Sequence, residues 1–169
     1  EPAKAVEDLE GALAALDTAE IKSGIIFLDT ADTAWQQAVE SWALDQDTTN
    51  GRRYRMSFGM AAATTAAAAA IRASLIGHHR VSLIYQRFLD AGDATITNPA
   101  IYAAAALAGM TGGMQPFVDA QSLVKTRRRL KAAAILAADK LTKTQRNTAI
   151  KAGVNVFIET AGQVLFDMA

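Results

Sequence analysis

Residues 56–79 read MSFGMAAATTAAAAAIRASLIGHH. Three readings compete for this stretch: a membrane span, the lining of a pocket, or the interior of a folded protein. About 20 consecutive apolar residues cross a bilayer, so length alone invites the first. The insertion energy opposes it. Phe58, Ile71, Leu75 and Ile76 together supply roughly −1 to −2.5 kcal/mol, and one central arginine, here Arg72, costs about +2.5 to +3.5. The other uncharged run, from Ala94 to Val118, is broken by Pro99, Pro116, Gly109, Gly112 and Gly113, which rules out one straight spanning helix. The two runs are neighbours, however. That leaves a conditionally inserting, pore-forming-like hairpin as one alternative function.

As protein interior, alanine at nearly every position from 61 to 70 predicts a helix without large side chains on any face. Neighbouring helices could then pack at the short end of the usual 8–10 Å spacing. A helix apolar all round is normally surrounded, so the stretch is expected to be the central helix of the fold, with Thr64 and Thr65 bonding back to their own backbone. A solvent-exposed face at Ala66–Ala70 would contradict this.

The rest of the chain reads the same way. It has 169 residues, 37 of them Ala by count, with 11 Gly, 3 Pro and no Cys. That length suits one domain spanning 1–169, and few β-branched runs interrupt the helical spacing. Val6, Leu9, Leu13 and Leu16 mark a first helix; Ile21, Ile25, Leu28, Trp35, Val39 and Trp42 mark a second, with Asp17-Thr18 as its cap and the polar run from Asp45 to Gly51 as its stop. Two helices are expected to meet near Gly77. Asn98 and Pro99 are placed to open another, Pro116 to start one that runs to about Asp139, and a last begins at about Thr142 with Ile150, Val154, Phe157, Ala161, Val164 and Leu165 inward. The expected fold is all-α, a compact antiparallel bundle of six or seven helices.

Net charge is zero, but charge is segregated. Residues 1–50 carry eleven acids against Lys4 and Lys22; residues 120–151 carry nine bases against the single acid Asp139. The densest cluster is Lys125, Arg127, Arg128, Arg129 and Lys131. A second, Arg52, Arg53 and Arg55, falls at the expected start of helix three, where positive charge is disfavoured by a few tenths to about 1 kcal/mol per group. Either both are neutralised within the chain, or they meet an acidic partner. Nucleic acid is disfavoured, because no aromatic residues interleave with the bases for stacking; a membrane surface remains open to the basic cluster.

The absence of Cys excludes disulfides, thiolate metal sites and a cysteine nucleophile. No His-carboxylate metal spacing, phosphate-binding loop or serine-nucleophile motif occurs. His78 and His79 are adjacent, so on a helix they point about 100° apart, and they read as a contact point beside Gly77 and not as a metal pair. No catalytic, cofactor or metal residues are assigned. The chain begins Glu1-Pro2-Ala3 without Met, which suggests export to the periplasm or cell exterior after signal removal, with the cytoplasm as the alternative. The expected function is that of a non-enzymatic structural or interaction module, a component of a larger assembly. Its partners would be other protein subunits or further copies of itself head to tail, and its candidate contacts are the two basic clusters with His78 and His79. A small-molecule or lipid carrier is the third reading; it would need a cavity between helices.

Overall fold

The computed structural model describes residues 6–19, 23–74, 81–112 and 129–167. The chain is a mixed α/β protein, which overturns the all-α bundle. Helix α1 (Val6–Thr18) precedes strand β1 (Ser23–Phe27), helix α2 (Thr33–Asn50), strand β2 (Arg53–Gly59), helix α3 (Thr65–Ser74) and strand β3 (Val81–Ile84). The three strands form a parallel sheet in the order β1-β2-β3, with Gly24 opposite Tyr54 and Phe58 opposite Leu83. Each strand is joined to the next by a helix, as parallel pairing requires.

The quoted stretch therefore holds both a strand and a helix. RYRMSFG alternates strictly along β2: Tyr54, Met56 and Phe58 enter one apolar cluster, with Val39 and Ala43 of α2, Ala68 of α3 and Leu9 and Leu13 of α1. Ser57 and Gly59 point the other way, towards helix α4 (Ala100–Gly112), and Arg53 and Arg55 are exposed. That face is shaped by small groups. Ser57 Oγ donates to the Ala104 carbonyl at 2.7 Å, and a β-carbon added at Gly59 would lie 2.5 Å from the Ile101 nitrogen. Helix α4 thus lies against the sheet almost backbone to backbone, with Ala100, Ala103 and Ala104 buried beneath it.

The central Ala-rich helix is also overturned. Ala66, Ala67 and Ala70 are exposed; only Ala68 is fully buried. Alanine is tolerated equally inside and outside a helix, so a run of it does not reveal which side faces the core. Thr64 Oγ1 accepts from the Ala67 N–H, as a cap would, whereas Thr65 pairs with the Tyr85 hydroxyl at 3.0 Å and ties α3 to the end of β3.

Beyond β3 the described residues contain, besides α4, two small antiparallel sheets, a 3-10 turn (Ala137–Asp139) and a short helix. Strands β4 (Phe88–Leu89), β5 (Thr97–Asn98) and β7 (Ala134–Ile135) pair in the order β5-β4-β7; β6 (Arg129–Leu130), β8 (Val156–Thr160) and β9 (Gln163–Asp167) pair in the order β6-β9-β8. Phe157, Val164 and Phe166, expected on a helix or unassigned, pack from these strands with Phe88 and Leu107 of α4 into a second apolar cluster. The start read at Thr142 holds: helix α5 (Lys143–Lys151) opens with a reciprocal cap between Thr142 and Gln145, but it ends after nine residues. Likewise α4 begins just after Pro99; Asn98 bonds Asp90 instead of capping it. Asp32, not Asp17-Thr18, caps α2, through Oδ1 and the Ala34 N–H at 2.8 Å.

Strands β8 and β9 are joined by the two-residue turn Ala161-Gly162, with φ of 51° and 72°. Both central residues are left-handed, as a type I′ hairpin requires, and such turns favour Asn or Gly at the first position. Ala161→Asn is expected to stabilise the protein by about 1 kcal/mol. The check is a higher urea midpoint at unchanged slope.

Candidate functional site

Parallel α/β sheets place their binding crevices beyond the carboxyl ends of the strands. Here a cleft of about 350 Å³ opens at that edge, lined by Ala31 after β1, Met60–Ala63 after β2, Tyr85 and Arg87 after β3, and Pro99–Ile101 at the start of α4. Its walls are mostly apolar, and its two functional side chains are already engaged. Burial, helped by the Asp139 charge and opposed by the Thr65 bond, pushes the Tyr85 phenol above its ordinary pKa, so it stays protonated at neutral pH and is not a base. Arg87 is locked to Asp139: its Nε and its backbone N–H both donate to Oδ2 at 2.8 Å, and Nη2 donates to Oδ1 at 2.8 Å.

Asp139 is 1% exposed. Burial opposes its charge, yet the three Arg87 hydrogen bonds prevail and hold the carboxyl below the ordinary range. One residue earlier, the buried Gln86 side chain donates to the Asp139 and Phe157 carbonyls, both at 3.1 Å, and accepts from the Phe157 N–H. Residues 86 and 87 thus fasten the end of β3 to the C-terminal strands. Glu159 adds a bond from the Ile135 N–H and an ion pair with Lys140 at 2.8 Å; burial works against it, but these contacts leave it lowered as well.

Asp90 is lowered by the Gly92 N–H, the Asn98 side chain and the Asp93 N–H, and Asp93 by the hydroxyl and N–H of Thr95. All four carboxyls bind protons less readily folded than unfolded, so their stabilisation is complete above the unfolded range near pH 4 and is lost as pH falls through the lower folded values. The urea midpoint is expected to drop between about pH 5 and pH 2. A midpoint that rises over that interval would contradict these assignments.

The expected contact residues fall on separate parts of the molecule. Arg52 turns inward, its Nη1 reaching the Asp17 carbonyl at 3.2 Å, the Asp17 carboxylate at 3.4 Å and the Gln46 amide oxygen at 3.4 Å. Arg53 pairs loosely with Asp47 at 3.9 Å, its side chain 76% exposed, and Arg55 is exposed on β2. Arg53 and Arg55 stand on β2 and Arg52 just before it, so the helix N-terminus repulsion expected for them does not arise. Arg129 and Lys131 are exposed on and just after β6, in a different sheet; Lys125, Arg127, Arg128, His78 and His79 lie outside the described residues. Sequence reading missed Gln86 and did not pair Arg87 with Asp139. One signal was present: Asp139 is the single acid among nine bases in its segment. Among the described residues no group of His and acids could hold a metal ion, and no helix is long and apolar enough to cross a membrane.

No family model and no curated protein matches the sequence. Solved structures do match the fold. The crystal structure of a sheath tail protein from Desulfitobacterium hafniense superposes with a TM-score of 0.71 at 19% identity, covering 97% of this chain and 34% of that one. A sheath tail protein from Listeria innocua gives 0.64 at 12% identity, covering 96% of this chain and 33% of that one. The chain spans about a third of the length of these proteins, and at such identities the likeness is one of fold.

Proposed function

We propose that the chain is a structural domain of a sheath-type protein and works by contacts with other protein subunits and not by catalysis. The observation that carries this is the likeness of 96–97% of its length to one region of two sheath tail proteins. The cleft supports the same reading: its phenol is held protonated and its guanidinium is tied to a buried carboxylate, so neither is poised to move a proton or activate a nucleophile. The exposed bases Arg53, Arg55, Arg129 and Lys131 are candidate contacts of this domain.

Sedimentation velocity over a hundredfold concentration range is the test. A structural subunit should grow well beyond the 17.9 kDa monomer, with particles visible by negative-stain microscopy. A strictly monomeric chain throughout that range would refute the reading.

A further inference from the structure

The parallel sheet has two chemically unlike ends. At the carboxyl ends of its strands, the loop from Asp90 to Asn98 and the first turn of α4 present Ile96 and Tyr102, 52% and 62% exposed, the large apolar side chains most open to water among the described residues. The loop is internally braced: the Asp90 N–H donates to the Ile96 carbonyl at 2.9 Å, the Ile96 N–H to the Asp93 carbonyl at 3.0 Å, and Asn98 to the Asp90 carboxylate at 3.1 Å. Its apolar residue is thus held out on a rigid support beside two carboxylates that stay charged at neutral pH. Among the described residues, Lys131 is a base whose charge reaches Asp90; Arg87 is neutralised by Asp139.

At the other end, β2 begins with Arg53 and Arg55, both exposed. Among the described residues Arg53 makes the loose Asp47 contact, the kind of surface pair that contributes little. Helix α4 runs antiparallel to β2, since Ile101 lies over Gly59 and Ala104 over Ser57. The Arg end is therefore roughly 20 Å from the Tyr102 end, the length of a seven-residue strand.

We propose that the 90–98 loop with Tyr102 is a docking face for the amino end of β2 in a second copy of this chain. The aliphatic stems of Arg53 and Arg55 would cover Ile96 and Tyr102, one guanidinium would stack on the phenol ring, and both would meet Asp90 and Asp93. The two surfaces differ and lie at opposite ends, so the contact is heterologous and leaves each added copy with a free end for the next. This rests on the assembly reading above and names its partner and surface.

Ile96→Lys and Arg55→Glu each put like charge across the proposed contact, where it opposes association. Both sites are exposed, so circular dichroism and the thermal midpoint should match the parent chain. By sedimentation velocity at low salt, each single variant should lower the association constant at least about tenfold, and the double variant I96K/R55E should return to within about threefold of the parent. Parent association should also weaken as salt rises. Single variants that associate as the parent does, or a double variant no better than the singles, would sink this docking face while leaving the assembly reading standing; a parent that never associates would sink both.

Discussion

Gly59→Ala is expected to destabilise the protein by about 3 kcal/mol, at the upper end of overpacking costs. An added β-carbon would sit 2.5 Å from the Ile101 nitrogen, 2.6 Å from its Cα and 2.8 Å from the Ala100 carbonyl carbon. All three are backbone atoms, so no side chain can swing aside; α4 must move as a body. Doing so would disturb the Ser57–Ala104 bond and the packing of Ala100, Ala103 and Ala104. The Gly59 carbonyl also accepts from the buried Gln36 amide at 2.8 Å, and Gln36 Oε1 has no partner among the described residues to compensate a loss. Gly51→Ala is the comparison: φ there is 63° but nothing lies within 4 Å, so it should cost only about 1 kcal/mol, the left-handed backbone penalty. Urea unfolding of both variants measures the contrast. Equal losses would mean that the close approach of α4 is not what glycine provides at position 59.

Arg87→Ala is expected to cost about 3 kcal/mol, because it strands the Asp139 carboxylate in the interior without its charge partner. In a chain of this size that corresponds to a thermal midpoint lower by roughly 6 to 12 °C. Part of the pair is open to water, since the Arg87 side chain is 41% exposed while Asp139 is 0%, which places the effect at the low end for buried pairs. Removing both partners discriminates between mechanisms. The double variant R87M/D139L replaces the pair with apolar groups and should recover much of the loss, whereas additive losses would show that the two residues act separately.

These two sites were differently visible in the sequence. Strand β2 could have been found: Tyr54, Met56 and Phe58 alternate with Arg53, Arg55 and Ser57 over the period of two that marks a half-buried strand. It was absorbed into a helix because it abuts eight alanines within ten residues, and alanine fits a helical spacing in any phase. Strand β1 was lost differently. Ile25 and its neighbours belong to a short, half-buried apolar run, SGIIF, too brief for periodicity to separate it from one turn of a helix. What did survive was chemistry local in sequence, the cap at Thr142 and the helix start after Pro99. The Arg87–Asp139 pair and the close contact of Gly59 with Ile101 depend on where distant segments come to lie, and spacing carries no record of that. The charge segregation was correctly counted, yet its first consequence is internal: Arg52 and Arg53 reach Asp17 and Asp47 of the acidic segment.

The Gln86 side chain has a consequence for the order of events on the ribosome. The parallel sheet is complete once residue 84 has emerged, but the carbonyls that receive the Gln86 amide belong to residues 53 and 71 positions further on. At a synthesis rate of about 5–20 residues per second, roughly 3 to 10 s pass before Asp139 is made to receive that amide and the Arg87 guanidinium, and roughly 4 to 14 s before the Phe157 carbonyl is. Over that interval the end of β3 is an open seam, closed only when residues 139–157 arrive.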